Sequence, residues 1–178
     1  MSPSLYSRLR GNDSESLTRV RFGSFVRGMI DSAESLPPTV AKILERFRSL
    51  SREDKMQALL QYSRKLEPLP ERFRELDRND FAVPECMTPV ALFPEFANGR
   101  VHFYADVDVR RSPTVAAFLA ILLSAVNDEP PSTALAIPSD FVHIVMESVG
   151  LGAREVGLNA LLQRVKRHAG TMIQGNHT

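Results

Sequence analysis

The fold is decided by the stretch Val90-Ala-Leu-Phe-Pro-Glu-Phe-Ala-Asn-Gly-Arg-Val-His-Phe-Tyr-Ala-Asp-Val107. Its central dipeptide, Asn98-Gly99, tolerates the positive φ angles of a two-residue hairpin turn. After the turn, apolar and polar residues alternate, as a strand with one buried face requires. Pro94 suits an edge strand or a bulge, because proline has no N–H to give to a sheet. The stretch therefore predicts two antiparallel strands, over 90–96 and 100–107.

Helices are predicted before this hairpin, where apolar residues recur at spacings of three and four. Pro37-Pro38 suits the start of a helix over about 38–49, and Ser51 is a candidate N-cap for the next helix. One or two further helical turns are expected over 71–76. The second helix is predicted to bury one face, made up of Met56, Leu59, Leu60 and Ser63.

Helices are also predicted after the hairpin. Ser112, as N-cap, and Pro113 begin an apolar helix that runs to about Val126. Short helices over 132–136 and 139–147 are expected next. A last helix over about 153–168 is predicted to bury Val156, Ala160, Leu161 and Val165. The sum is an α+β fold, a small antiparallel sheet with helices packed against it.

Composition excludes several classes of protein. The 178 residues suffice for one globular domain, and the net charge of +1 does not favour binding to nucleic acid or to an anionic membrane. The longest nearly apolar run, 113–126, is short of the roughly 20 residues that span a bilayer. The single cysteine, Cys86, excludes an intramolecular disulfide and every Cys-x-x-Cys motif.

Residues 1–35 are rich in Arg and Ser and show no sustained apolar period, which predicts a disordered arm. Three explanations stay open. The gene start of a bacterial protein was assigned too early and Met29 is the true start, or the segment is an organellar transit peptide, or it is a functional arm. The first places the protein in the bacterial cytoplasm, and the second in a plastid or another organelle. The domain itself is predicted over 36–170, with a flexible tail over 171–178.

The thiol of Cys86 is the first candidate for chemistry. It lies in Val83-Pro-Glu-Cys-Met-Thr-Pro89, where two prolines disfavour a helix and so predict a loop. Loops on a rigid scaffold often carry reactive groups. A small buried hydrophobe is the equally weighted alternative. A Cys-His hydrolase also stays open, because the distance to a histidine cannot be read from the sequence.

The remaining polar candidates are less specific. The four histidines, His102, His143, His168 and His177, have no zinc-ligand spacing. Asp106 and Asp108 share a sheet face if the strand continues, but a solvated strand end explains them as well. Arg154 opens the last helix, where a cation is mildly unfavourable, so it is a candidate for holding an anion or simply a solvated arginine.

Five segments are informative because they occur in this order along one chain. They are Gln61-Tyr-Ser-Arg-Lys-Leu-Glu-Pro-Leu-Pro70, Val83-Pro-Glu-Cys-Met-Thr-Pro-Val90, Gly99-Arg-Val-His-Phe-Tyr-Ala-Asp-Val-Asp108, Phe118-Leu-Ala-Ile-Leu-Leu-Ser-Ala-Val126 and Arg154-Glu-Val-Gly-Leu-Asn-Ala-Leu-Leu162. Together they resemble the SufE family of sulfur-acceptor proteins in iron–sulfur cluster assembly, over residues 36–170. Two departures stand out. Met87 replaces the usual Gln after the cysteine, and Leu151-Gly152 replaces the usual Ser-Pro or Thr-Pro. Thr88 keeps the common hydroxyl.

The resemblance implies a SufE/IscU-like fold and a sulfur relay. Cys86 would take sulfur, as a persulfide, from a SufS-type cysteine desulfurase that uses pyridoxal phosphate, and deliver it to a SufBCD-type scaffold. Arg154, Asp106, Glu85 and Thr88 would dock the partner or support the loop. No cofactor, metal or independent catalysis is implied, and a homodimer is left open. A cluster scaffold of the IscU type is disfavoured, because one cysteine is poor provision for a cluster.

Overall fold

The computed structural model describes residues 36–147, 149 and 154–175. Its elements, in chain order, are α1 (Pro38–Ser49), α2 (Arg52–Ser63), α3 (Glu71–Arg74), a 3₁₀ turn (Arg78–Phe81), β1 (Ala91–Ala97), β2 (Arg100–Asp106), α4 (Pro113–Val126), α5 (Pro131–Leu135), α6 (Phe141–Met146) and α7 (Glu155–Gly175). The predicted α+β class is confirmed. In the described part of the chain, no helix is long and apolar enough to cross a membrane.

The predicted hairpin is present. Strands β1 and β2 pair antiparallel, with Ala91 opposite Asp106 and Ala97 opposite Arg100. The turn residues Asn98 and Gly99 have φ angles of 54° and 75°, as a two-residue hairpin turn requires. The dipeptide thus fixes the register in which the following strand buries alternate side chains.

Pro94 lies on the outer edge of the sheet. It stands opposite Phe103, whose N–H donates to Asn127 Oδ1 (2.9 Å) and whose carbonyl accepts from Asn127 Nδ2 (3.1 Å). Because the backbone groups of Phe103 point away from β1, the facing residue also points outward, where a missing N–H costs no ladder hydrogen bond. The Asn127 amide replaces a neighbouring strand on the far edge of β2.

Helix α4 is the centre of the core. Eleven of its fourteen residues are buried, and it contacts α1, α2, β2, α5 and α7. The hydroxyl of Thr39 donates to the carbonyl of Ala125 (2.9 Å) and ties α1 to it. Ser112 occupies the predicted N-cap position, but its side chain makes no capping hydrogen bond. The Asp108 carboxylate instead accepts the N–H groups of Arg110 and Arg111 just before the helix.

Helix α2 begins after the predicted cap, because Ser51 Oγ accepts the N–H of Asp54. Its predicted buried face is partly wrong: Leu59 and Ser63 are buried, whereas Met56 and Leu60 are half exposed. The helix is rotated so that Lys55 and Ala58 face inward.

The physical reason for that rotation is a buried lysine. Lys55 Nζ donates to the carbonyls of Ile144 (3.2 Å) and Glu147 (3.3 Å) at the end of α6. A cation at a helix C-terminus satisfies carbonyls that have no partner within the helix. An apolar periodicity cannot reveal a lysine in this role.

The last helix differs from its prediction at both ends. Val156, expected to be buried, is exposed, and Leu158 is buried in its place. The helix also continues past the predicted end at His168 to Gly175, and Met172 packs against the core. Residues 171–175 of the predicted tail are therefore helical. The arm over 1–35, Leu151-Gly152 and residues 176–178 lie outside the described residues.

We predict a pH-dependent contribution to stability from His102. Its Nδ1 lies 3.0 Å from Asp128 Oδ1 and its Nε2 lies 3.1 Å from Glu67 Oε2. Burial lowers the pKa of His102, but the hydrogen bonds to the two carboxylates outweigh burial and leave the pKa above its ordinary value. A raised folded-state pKa stabilises the fold fully below about pH 6.5, and this contribution is lost as the pH rises through the folded-state value.

The measurement is urea unfolding of the wild type and of His102→Gln at pH 6 and pH 9. The wild type should exceed the variant in unfolding free energy by more at pH 6 than at pH 9. An equal difference at both pH values would contradict the assignment.

Candidate functional site

Cys86 lies at the tip of a loop whose two ends meet. The N–H of Val83 donates to the carbonyl of Val90 at 2.9 Å, and Ala82 forms an isolated bridge with Ala91. Within the loop, the N–H of Cys86 donates to the carbonyl of Val83 at 3.1 Å. We call residues 83–90 the cysteine loop, and the hydrogen bond between its end residues the neck. The predicted loop is thus present and closed at its base.

Two arginines hold the cysteine loop on either side of the neck. Arg164 Nη2, on α7, donates to the carbonyl of Ala82 at 2.5 Å. Arg78 Nη2 donates to the carbonyl of Pro89 at 3.2 Å, while its Nε donates to Asp106 Oδ2 at 2.6 Å. Among the described residues, Arg78 thus links Asp106 to the loop, and Asp106 does not line the cavity that holds the thiol.

The Cys86 side chain is turned inward. Only 8% of the residue is exposed, and it lines a cavity of about 270 Å³. The lining also includes Glu85, Thr88, Val115, Arg154, Gly157 and Leu158. A Cβ atom at Gly157 would lie 3.4 Å from Cys86 Sγ, at van der Waals contact, so α7 passes directly beside the thiol at this glycine.

Burial also controls the protonation of the thiol. It raises the pKa of Cys86 above its ordinary value, and a hydrogen bond from the backbone N–H of Thr88 offsets this only in part. Since the thiolate is the nucleophile, a raised pKa lowers reactivity near neutral pH. The resting structure therefore protects Cys86 rather than activating it.

Charged groups lie at the rim of the cavity. Arg167 Nη2 is 3.6 Å from Glu85 Oε1, with both side chains about half exposed. A hydrogen bond from its own backbone N–H lowers the pKa of Glu85, as does the charge of Arg167. Arg154 is exposed at the same rim, and no ion pair to it occurs among the described residues. The structure thus brings Cys86, Glu85, Thr88 and Arg154 together and leaves Asp106 apart.

Sequence reasoning missed four residues of this site. Arg78, Arg164 and Arg167 form or border the loop contacts, and Gly157 is the position at which α7 passes beside the thiol. Three- and four-residue spacing from Leu161 shows only that Arg164 and Leu161 share a helix side. It does not show that the guanidinium ends at a carbonyl 82 residues away in the chain.

A metal site and a cysteine hydrolase each need a particular set of side chains. In residues 36–147, 149 and 154–175, no three His, Cys, Asp or Glu side chains are grouped to hold a metal ion. Among the described residues that line the cavity, none is a histidine. A cysteine hydrolase needs a base beside the thiol. The arrangement fits a thiol that waits to react with an incoming group.

We predict that alkylation of Cys86 follows its raised pKa. With iodoacetamide, the reaction rate in the native protein should rise with pH around a higher midpoint than in the urea-unfolded protein, since burial disfavours the thiolate. Rates at several pH values, read by intact mass, measure both midpoints. A native midpoint below the unfolded one would show an activated thiol and contradict the geometry.

We also predict that Arg78 keeps the cysteine loop closed. Arg78→Lys keeps the charge but loses the paired donors to Pro89 and Asp106, so alkylation of Cys86 should accelerate by about fivefold or more. The matched control is Arg74→Lys, because in the part of the chain that the structure describes Arg74 pairs with Glu71 on its own short helix and not with the loop. Equal rates in the two variants would remove Arg78 from this role.

Comparison with protein families gives a match over most of the chain. Residues 41–169 match the SufE family model, described as an Fe-S metabolism associated domain. The matched range contains the cysteine loop, the hairpin, α4 and most of α7.

Individual proteins agree with this match. An uncharacterised SufE-like protein of Mycobacterium tuberculosis is 31% identical over 141 residues, which cover 75% of this chain and 92% of the relative. An uncharacterised SufE-like protein of Synechocystis is 30% identical over 118 residues, which cover 66% of this chain and 70% of the relative.

A solved structure shares the fold. The solution structure of a hypothetical protein from Thermus thermophilus superposes with a TM-score of 0.67 at 30% identity. The match covers 79% of this chain and 99% of that protein. Family model, relatives and fold point the same way: this chain belongs to the SufE family and carries its domain of iron–sulfur metabolism.

Proposed function

We propose that this protein accepts sulfur on Cys86 from a SufS-type cysteine desulfurase and passes it to a SufBCD-type scaffold for iron–sulfur cluster assembly. The observation that carries the proposal is the placement of the only thiol of the chain at the tip of a closed loop, over a cavity, in a SufE domain. A relay needs one accessible thiolate and no second thiol, which would resolve the persulfide to a disulfide.

The sulfur transfer is an exchange between two sulfur atoms. Cys86 loses its proton, and the thiolate attacks the outer sulfur of the desulfurase persulfide. A new S–S bond forms on Cys86 while the old one breaks, and the desulfurase leaves as a thiolate that takes up a proton. The step has no net oxidation, so neither a redox cofactor nor a metal is needed on this chain.

The resting burial of Cys86 means that the loop tip moves during transfer. The tip is held by the Glu85–Arg167 pair, and exposed ion pairs contribute about 1 kcal/mol or less. The neck, in contrast, is a backbone hydrogen bond that is reinforced by an arginine contact on each side. Docking of a partner would release the tip and leave the neck closed.

In this proposal, each polar residue near Cys86 also has a role, according to its position relative to the thiol and the neck. Arg154 is placed to attract the anionic persulfide or an acidic group of the partner, because a guanidinium binds anions through several donors. The Thr88 N–H stabilises the Cys86 thiolate as it forms. Glu85 closes the tip at rest, and Asp106 supports the neck through Arg78.

The experiment is intact-protein mass after incubation with the SufS-type desulfurase of the same organism, pyridoxal phosphate and L-cysteine. The wild type should gain about 32 Da, one sulfur atom, and lose it on reduction. Cys86→Ser, the matched control, should gain nothing. No gain in the wild type while the desulfurase is turning over would reject the sulfur-acceptor function.

A further inference from the structure

Two of the most exposed apolar side chains of the described residues lie at the same cavity. Met87 is 98% exposed and Val156 is 76% exposed, and both line the cavity that holds Cys86. The other large exposed hydrophobics are between 37% and 51% exposed. Single exposed apolar residues are ordinary on a protein surface, but two that line the same cavity as a thiol indicate a contact surface.

The two side chains come from different elements. Met87 follows Cys86 in the cysteine loop, and Val156 belongs to the first turn of α7. Val156 interrupts the apolar pattern of its helix, which buries Leu158 instead. An apolar residue that does not serve the core, placed beside the reactive atom, is free to serve an interface.

The surroundings resemble the centre and rim of a protein interface. The apolar pair is bordered by the Glu85–Arg167 pair and by Arg154. Interfaces combine an apolar centre with a polar rim, and methionine and arginine are enriched there. The exposed cation of Arg154 is complementary to an acidic group on the other side.

The occupant of this surface is a protein larger than the cavity. A side chain as exposed as Met87 lies in solvent, so a small polar donor such as cysteine or sulfide inside the cavity would leave it uncovered. A second copy of this chain would add another Arg154 cation to a rim that already carries one. A partner with an apolar cleft would cover Met87 and Val156, and an acidic border on that cleft would pair with Arg154.

We propose that Met87 and Val156 form the apolar centre of the docking surface for the persulfide-bearing desulfurase, which presents an apolar cleft bordered by an acidic side chain. This inference rests on the proposed function and names two residues that set partner affinity at its site. Met87, as the flexible and most exposed residue, makes the larger contribution.

The test is the chain concentration that gives half-maximal sulfur transfer from the same desulfurase and L-cysteine. Met87→Ala should raise it about tenfold and Val156→Thr about threefold, with the maximal rate unchanged, because buried apolar area is lost at docking. Met56→Ala is the matched control: Met56 is 50% exposed on α2 and does not line the cavity. It should change the value by less than about twofold.

A second readout separates docking from loop packing. Inorganic polysulfide, a small donor, should persulfidate Cys86 in Met87→Ala at a rate within about twofold of the wild type. The inference is overturned if Met87→Ala matches Met56→Ala with the desulfurase, or if the polysulfide reaction slows as much as the protein reaction. Absence of transfer to the wild type would overturn the proposed function as well, whereas equal transfer to wild type and Met87→Ala contradicts only the docking surface.

Discussion

The hydrogen bond from the Val83 N–H to the Val90 carbonyl is the constraint on which the site depends. It closes the chain into a loop immediately before β1, so the hairpin that decides the fold also fixes the base of the cysteine loop. Arg78 and Arg164 reinforce the two sides from separate parts of the chain. A rigid base with a weakly held tip is a way to place one reactive atom accurately and still let it move.

Burial shields the Cys86 thiol but also makes it less nucleophilic, and the resting structure favours the shielded thiol. Burial favours the protonated thiol and keeps it away from oxidants, which suits the sulfur-acceptor role proposed for the only cysteine of the chain. In that proposal, reactivity comes from the encounter with a partner. The exposed apolar residues and the Arg154 cation around the cavity provide contacts through which an encounter can change the loop. Fold, burial and surface therefore all bear on the relay proposed above.

Local signals predicted much of the fold. The Asn98-Gly99 turn and the Ser51 cap depend on neighbouring residues, and the structure confirms both. Long-range polar contacts could not be read in this way. Lys55 is buried because carbonyls of α6 happen to lie beside it, and Val156 is exposed because α7 turns Leu158 to the core. For the site, the sequence placed the thiol in a loop but not the arginines that hold it.

In the proposed relay, the tip of the cysteine loop opens while its neck stays closed. Amide hydrogen exchange of the chain, with and without the desulfurase, tests it directly at two positions, since the Cys86 N–H and the Val83 N–H are both hydrogen-bonded within the loop. We predict faster exchange at Cys86 in the presence of the desulfurase and unchanged exchange at Val83. Equal acceleration at both positions, or persulfide formation with no change at Cys86, would contradict it.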